Sequence, residues 1–237
     1  VFFLFFGFRG FVGDDWQSIY RFTGSDISLF TDFERFLGVS ETLKIENTYR
    51  NSQELINIAG KFIMNNENQI KKNLVSSIHH SNPIRILGYR YDLISAFKKA
   101  IEEIVYLNGE ESEIMVLGRN NFDVDVFKPS KEDEYRTDEY NREKRLFSVH
   151  AKRDGQVEIK YKISPKLNIY FMTAHRAKGL EAENVIVINL ENKLVGFPNQ
   201  IADDPILSLV LTKLDNYDFA EERRLFYVAL TRTKNVT

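Results

Sequence analysis

Apolar positions along the chain follow two rhythms, one typical of buried strands and the other of amphipathic helices. Continuous or alternating apolar runs predict strands at 1–12, 42–46, 84–89, 113–119, 168–173 and 184–190. Apolar residues three and four positions apart predict helices at 27–37, 53–66, 93–107 and 221–230. Ser52 is placed to cap the second of these helices, and Gly38 is placed to end the first. Short strands separated by amphipathic helices predict an α/β fold with a mostly parallel sheet and crossover helices.

Residues 128–154 interrupt this alternation. They hold eight basic and seven acidic side chains, mixed in sign along the segment. Mixed charge of this kind is typical of a solvated helix or a surface insertion, and a binding surface is the alternative interpretation. We therefore expect a charged insertion at this point of the sheet.

Composition is that of an ordinary folded protein, and it excludes several functional classes. Of the 237 residues, 43% are hydrophobic and 28% are charged, and the net charge is −2. The chain is therefore not basic throughout, so any nucleic-acid contact must come from a local patch. The absence of cysteine excludes a disulfide scaffold, a cysteine-bound zinc site and a cysteine nucleophile. It also fits a reducing compartment, and we expect a cytoplasmic protein.

The Phe-rich start of the chain is the one candidate for a membrane segment in the sequence. Its first eleven residues, VFFLFFGFRGF, contain six phenylalanines. Arg9, Gly10, Gly13 and Asp14 end the run well short of the roughly 18 to 20 apolar residues that a membrane helix needs. The run therefore predicts a buried strand or core segment, and we expect no membrane partner.

Four segments combine polar, aromatic and basic residues in a definite order. They are VGDDWQSIYRFTGS (12–25), NTYRNS (47–52), MTAHRAKGLEAENVIVI (172–188) and EERRLFYVALTR (221–232). Each has a structural explanation by itself, such as a helix cap, a surface pair or a solvated helix face. Together, in this order and spacing, they resemble motifs III, IV, V and VI of the UvrD/Rep family of superfamily 1 DNA helicases. The resemblance extends over residues 12–234, nearly the whole chain.

The resemblance implies a RecA-like fold of the P-loop NTPase type and an ATP-dependent DNA motor. Residues 41–237 would form the second RecA-like lobe, with the charged insertion at 128–154. Residues 1–40 would be a remnant of the first lobe that carries motif III. Such a motor couples ATP hydrolysis to movement on single-stranded DNA and to duplex unwinding. The implied partners are ATP, single-stranded DNA and the N-terminal RecA-like lobe of the same parent chain.

At the positions that the family assigns to the nucleotide, the side chains suit phosphate chemistry. Gln17 is a neutral donor and acceptor that can contact the γ-phosphate or the attacking water. Arg50 and Arg232 offer planar, permanently charged forks for the charge that spreads during phosphoryl transfer. The resemblance implies that Gln17, Arg50 and Arg232 are catalytic. Tyr49 offers a ring on which adenine can stack, and Glu181 resembles the motif V carboxylate that orders the ribose and phosphate region.

Other motif residues suit a single DNA strand, which needs stacking platforms and backbone contacts that tolerate any sequence. Tyr20 and Phe22 follow Gln17 closely, so one loop could contact both the nucleotide and the strand. Thr173 and His175 lie just beyond a predicted strand, where motif V resembles a contact to the DNA backbone. Thr23 stands where the family often has an arginine, and this weakens a DNA contact at that position.

Two parts of a complete ATP motor do not occur in the sequence. It contains no G-x-x-x-x-G-K-[ST] loop, and no Asp-Glu pair precedes motif III to hold Mg²⁺. We therefore expect a C-terminal fragment that is inactive alone, with the Mg²⁺ ligands in a preceding part of the parent chain and no metal ligand here. Two alternatives remain open: a non-catalytic nucleic-acid-binding module of RecA-like fold, and the helicase part of a helicase-nuclease.

Overall fold

Two sheets form in the part of the chain that the computed structural model describes, which comprises residues 2–5, 8–20, 32–90, 92–130, 135, 137–152, 156–201 and 217–236. The first is an antiparallel hairpin of β1 (Phe2–Phe5) and β2 (Phe8–Phe11). The second has six strands: β3 (Glu113–Gly118), β4 (Phe147–Ala151), β5 (Val157–Tyr161), β6 (Asn168–Thr173), β7 (Ala182–Val187) and β8 (Thr233–Val236).

The six-stranded sheet has a parallel centre and one antiparallel edge. Its strand order is β4-β5-β6-β3-β7-β8. β3 pairs in parallel with both β6 and β7, and β7 pairs in parallel with β8. β5 runs antiparallel to β6, and β4 antiparallel to β5. The predicted α/β fold with a mostly parallel sheet is confirmed.

Five α-helices lie in the described ranges: α1 (Phe33–Leu37), α2 (Gln53–Ile63), α3 (Leu93–Asn108), α4 (Glu139–Lys144) and α5 (Ala220–Leu230). The Ser52 hydroxyl accepts a hydrogen bond from the Leu55 N–H at 3.3 Å, so the predicted cap of α2 is confirmed. Gly38 ends α1 with a φ of +81°, which favours glycine, as predicted. Residues 21–31, which include the first five residues of the predicted helix at 27–37, lie outside the described residues.

Both faces of the sheet are covered, and β3 at its centre shows how. Ile114 and Val116 point into the core that α3 covers. Met115 and Leu117 point to the opposite side, into the core that α5 covers. All four residues are at most 1% exposed. A near-continuous apolar strand is what a parallel strand with helices on both faces requires.

A third layer forms where α2 packs on the outer side of α5. Ala59 and Ile63 of α2 meet Tyr227 and Leu230 of α5, and Trp16 completes this cluster. The ring of Trp16 stands edge-on to that of Tyr227, with centroids 5.4 Å apart. This layer ties the segment around Trp16 to the helix that carries motif VI.

Two predicted strands are wrong. Residues 84–89 pair with no strand among the described residues. Their isoleucines alternate as in a strand, but these side chains do not line a buried face of the sheet. Ile86 is 91% exposed, and Ile84 only borders the cluster between α2 and α5. Residues 42–46 form no strand either, and the pairing beside them is the single bridge between Asn47 and Val75.

The expectations for 1–12 and 128–154 also need correction. The first run is a hairpin rather than one strand, so its backbone groups pair locally. The second contains β4, whose Phe147 is 1% exposed in the core beneath α3 while His150 is exposed. Mixed charges on either side concealed this strand, and β5, its partner, was not predicted. No helix in the described ranges is both long and apolar enough to cross a membrane.

Candidate functional site

Residues 15–17 of motif III form a 3-10 turn that is anchored to α5 and to the segment around residue 70. The indole Nε1 of Trp16, a residue only 2% exposed, donates a hydrogen bond to the Ile70 carbonyl at 2.9 Å. Ile19 is fully buried in the core beneath α5. Arg224 of α5, which is 2% exposed, donates from Nε to the Ser18 carbonyl at 2.6 Å. The anchored residues lie directly before and after Gln17 and directly before Tyr20. They therefore fix the backbone positions from which the side chains of Gln17 and Tyr20 extend.

Gln17 is held by the carboxylate of Asp14. The Gln17 Nε2 donates to Asp14 Oδ2 at 2.6 Å. The other oxygen, Oδ1, accepts from the Trp16 N–H at 3.0 Å and lies 2.5 Å from the Lys72 ammonium. The amide of Gln17 therefore has a defined orientation.

Arg50 and Glu181 form an ion pair between motifs IV and V. The Arg50 Nε lies 2.6 Å from Glu181 Oε2, and the Lys234 ammonium lies 2.8 Å from Oε1 of the same carboxylate. The hydrogen bonds from Lys234 and Arg50 lower the pKa of Glu181. Arg50 and Glu181 are about one third and two fifths exposed at the side chain, so an incoming anion can reach them.

Arg232 is buried at the end of α5, with 1% of its surface exposed. Its Nε donates to the Val228 carbonyl at 2.8 Å, and Nη1 donates to the Leu180 carbonyl at 3.2 Å. Its Nη2 donates to the Thr231 hydroxyl at 3.1 Å. All three acceptors are neutral. A buried guanidinium held by neutral acceptors keeps its charge uncompensated, which is costly unless an anion joins it.

These charges lie close enough to act on one another. Burial lowers the pKa of Arg232 to about 10, and the charge of Arg50 lowers it as well. The carboxylates of Asp14 and Glu181 act in the opposite direction. The structure therefore brings together Arg50, Glu181, Arg232 and the Asp14 carboxylate that holds Gln17. We call this group the arginine cluster. Tyr49, beside Arg50 in the chain, is 83% exposed at its margin.

The candidate DNA residues meet beside this cluster. The Tyr20 hydroxyl donates to the His175 carbonyl at 3.1 Å, and the two rings are tilted with centroids 6.2 Å apart. The Lys178 ammonium lies 5.0 Å above the Tyr20 ring. Thr173, at the end of β6, is 8% exposed, and its hydroxyl accepts from the Arg176 N–H at 3.4 Å. Phe22 lies outside the described residues.

His175 is expected to make stability depend on pH. Burial, and after it the charge of Arg119, lowers the pKa of His175 to about 4. An unfolded imidazole has a pKa of about 6.5. The stability from this group is therefore complete above pH 6.5 and is lost as the pH falls from 6.5 towards 4. We expect His175→Gln to flatten the fall of Tm between pH 7 and pH 5, measured by thermal denaturation.

His150→Gln is the matched control, because His150 is exposed on β4. It should leave the slope of Tm against pH as it is in the unmodified chain. A slope that is the same in His175→Gln and in the unmodified chain would contradict the burial of His175.

Several residues of the site were not predicted from the sequence. Asn51 donates from Nδ2 to the Thr233 carbonyl at 2.7 Å and so joins motif IV to the strand after motif VI. Lys178 lies inside the motif V segment, three residues after His175, and this position could have identified it. Arg224 lies inside the motif VI segment, and this position could have identified it as well. Lys72 and Lys234 carried no such signal, because they lie outside the four segments and their partners are distant in sequence.

Metal ligands do not accompany this cluster. Within the part of the chain that the structure describes, no group of three or more His, Asp or Glu side chains is placed to hold a metal ion. The carboxylates at the site, Asp14 and Glu181, are already engaged with cations.

The mostly parallel six-stranded sheet is consistent with the C-terminal lobe of a UvrD-like helicase, and comparison with known proteins supports this class. Residues 132–236 match the family described as UvrD-like helicase C-terminal domain. The chain therefore carries a UvrD-like helicase C-terminal domain and is homologous to ATP-dependent DNA helicases. The resemblance predicted from the four motifs is confirmed.

Individual relatives extend the similarity beyond that domain. DNA helicase IV of Escherichia coli is 32% identical over 224 residues, which are 94% of this chain and 28% of that protein. A probable DNA helicase of Mycoplasma pneumoniae is 28% identical over 232 residues, 94% of this chain and 36% of that protein. The ATP-dependent DNA helicase PcrA of Bacillus subtilis is 36% identical over 81 residues, 34% of this chain and 11% of that protein. The chain thus spans about a third or less of the length of these relatives.

Proposed function

We propose that the chain is the second RecA-like lobe, with the motif III segment of the first, of an ATP-dependent DNA helicase. The main support is the stretch of residues 14–20, which holds Gln17 beside the arginine cluster and Tyr20 beside His175. One anchored segment thereby joins the candidate nucleotide residues to the candidate DNA residues. Such a connection is what a motor needs to couple ATP hydrolysis to strand movement and duplex unwinding.

On the nucleotide side, Arg50 exchanges Glu181 for phosphate oxygens when ATP binds. Lys234 stays on the Glu181 carboxylate, so that this anion keeps a partner. Arg232 supplies a second positive charge from a buried position. Negative charge spreads over the γ-phosphate oxygens in the transition state, and both arginines stabilise it there. Gln17 contacts the γ-phosphate or the attacking water.

On the DNA side, Tyr20 and Phe22 are stacking platforms and Lys178 is a cation for backbone phosphate. Thr173 and His175 are the proposed hydrogen-bonding groups for the DNA backbone. Because burial keeps the pKa of His175 near 4, its ring is neutral at pH 7 and acts by hydrogen bonding rather than by charge.

Strand displacement by the full-length gene product tests this proposal. We expect a labelled strand to be released from a duplex with a single-stranded tail when ATP is present, and not with a non-hydrolysable analogue. Binding of the tail without ATP-dependent release would contradict the proposal and favour a non-catalytic nucleic-acid-binding module. Shortening of the strands would instead point to the helicase part of a helicase-nuclease.

Tyr49→Ala in the full-length gene product is expected to raise KM for ATP about 5- to 100-fold and to change kcat less. Stacking of a base on an aromatic ring is worth about 1–3 kcal/mol, and it acts on the bound ground state as well as on the transition state. Steady-state ATP hydrolysis with saturating single-stranded DNA measures both constants.

Tyr106→Ala is the matched control, because Tyr106 is 88% exposed on α3 and belongs to none of the four motifs. It should leave KM for ATP unchanged. A Tyr49 variant whose kcat falls while its KM stays normal would contradict the assigned stacking role.

The proposed function also implies that this chain depends on other parts of the motor for ATP turnover. The 237-residue chain alone should not turn over ATP, because its sequence lacks the phosphate-binding loop. The Mg²⁺ ligands and that loop would come from the N-terminal RecA-like lobe of the same parent chain. The domain boundary near residue 40 and a cytoplasmic location, where such a motor would meet DNA, belong to the same proposal.

A further inference from the structure

Lys72 lies outside all four motifs, yet its ammonium reaches the motif III turn. Its Nζ lies 2.5 Å from Asp14 Oδ1 and 2.5 Å from Asp15 Oδ1. It also lies 4.8 Å above the ring of Trp16. With only 18% of its side chain exposed, Lys72 is largely enclosed by the turn.

The contacts of Lys72 continue to Gln17 through one carboxylate. Asp14 binds Lys72 with Oδ1 and the Gln17 amide with Oδ2, at 2.5 Å and 2.6 Å. Because one N–H of Gln17 Nε2 is used in this way, the amide oxygen Oε1 and the second N–H are the groups left to face a phosphate-bound or attacking water. The orientation of the Gln17 amide thus depends on where the Asp14 carboxylate stays.

Without a cation, that carboxylate would not stay in place. Asp14 and Asp15 are neighbours of like charge, and the Asp15 side chain is 1% exposed. Two carboxylates this close repel each other, and burial raises the cost of the charge further. Each carboxylate also accepts from one backbone N–H, Asp15 from Ile70 at 2.8 Å and Asp14 from Trp16 at 3.0 Å. Asp14 is the more exposed of the two, at 36% against 1%, so it would be the group that moves towards water.

We propose that Lys72 is a positioning residue for ATP hydrolysis, acting through Asp14 to set the orientation of Gln17. The inference rests on the proposed function, since it assumes that Gln17 works at the γ-phosphate. Lys72 contacts Asp14, Asp15 and Trp16, so in this proposal its effect reaches the reaction through Asp14 and Gln17.

The test compares Lys72→Met with Lys71→Met in the full-length gene product. Lys71 is the next residue, is exposed, and carries the same charge, so it controls for the loss of one positive charge. Misplacement of a catalytic group by about 1 Å can cost roughly 10²-fold in rate. We expect Lys72→Met to lower kcat about 10- to 100-fold with less than a threefold change in KM for ATP. Lys71→Met should leave both constants normal, and Lys72→Arg should recover part of kcat.

A double-mutant cycle with Gln17→Ala separates positioning from general destabilisation. If Lys72 acts through Gln17, Lys72→Met should lower kcat less than about threefold in a chain that already carries Gln17→Ala. All rates are compared below the Tm of the least stable variant, so that unfolding does not contribute.

Full additivity of the two substitutions, or a normal kcat in Lys72→Met, would overturn the inference and leave the proposed function intact. Absence of DNA-stimulated ATP hydrolysis in the unmodified protein would instead refute the proposed function itself. The two failures are therefore distinguishable in one set of rates.

Discussion

Replacement of Arg232 by alanine in the full-length gene product is expected to lower kcat for ATP hydrolysis about 10³- to 10⁵-fold. KM for ATP should change far less, because the guanidinium interacts most strongly with the γ-phosphate oxygens in the transition state, where negative charge spreads over them. Arg232 is 1% exposed and its three hydrogen-bond acceptors are neutral, so no carboxylate hydrogen bond has to be broken before its charge acts on a phosphate in the proposed role.

Two variants make the Arg232 experiment specific. Arg232→Lys should not restore kcat fully, because lysine lacks the planar fork. Arg223→Ala is the matched control on the same helix, where Arg223 lies over the rings of Phe62 and Tyr217 instead of inside the cluster. A near-normal kcat in Arg232→Ala, together with abolished turnover in Tyr49→Ala, would show that the two roles are wrongly assigned.

Phe127→Ala is expected to lower the free energy of unfolding by about 3–5 kcal/mol. Phe127 is fully buried beneath α3, with its ring centroid 4.5 Å from that of Phe97 and 5.9 Å from that of Phe147. Truncation removes both ring contacts and leaves a cavity between the helix and the sheet. Equilibrium denaturation in urea measures the change.

Phe122→Ala is the control for this prediction, because Phe122 and Phe127 belong to one 3-10 segment, Asn121–Phe127. Phe122 is 55% exposed, so its truncation should cost less than about 1 kcal/mol. Equal losses for the two variants would contradict the placement of Phe127 in the core and Phe122 at the surface.

The central strands were predictable from the sequence because burial on both faces leaves a direct signal. Residues 113–119 and 168–173 are almost continuously apolar, and the structure has strands at Glu113–Gly118 and Asn168–Thr173. The antiparallel edge was not predictable in this way. One face of Phe147–Ala151 is solvated, so Ser148 and His150 alternate with its apolar residues, and the charged residues on either side concealed this short alternation.

The failure at 84–89 has the opposite cause. Its alternation of Ile, Arg, Ile and Leu satisfies the local pattern of a strand, but a strand also needs a neighbour with free backbone groups. Which segments become neighbours depends on the tertiary fold, and local periodicity does not contain this information. Ile86 is 91% exposed, as expected for a segment that is not part of the sheet.

Candidate site residues could be predicted when they belong to one of the four motifs. Residues that join the site only through tertiary contacts could not be predicted. Arg50 and Glu181 are 131 positions apart, and both were expected near the nucleotide because motifs IV and V contain them. Lys72 is one of two adjacent lysines in a polar stretch, and only the structure shows that it lies beside Asp14 and Asp15. Arg224 lies inside the motif VI segment, but its contact with motif III appears only in the structure, because its partner, the Ser18 carbonyl, is 206 positions away.

The most direct test of the account is the rate of ATP hydrolysis by the full-length gene product with and without single-stranded DNA. In the proposed motor, residues 14–20 connect Gln17 to Tyr20, so a strand bound at Tyr20 and His175 should accelerate hydrolysis at the arginine cluster. We expect single-stranded DNA to stimulate the rate of ATP hydrolysis strongly, and Tyr20→Ala to reduce this stimulation. Hydrolysis at the same rate with and without DNA, or no hydrolysis under either condition, would contradict the account.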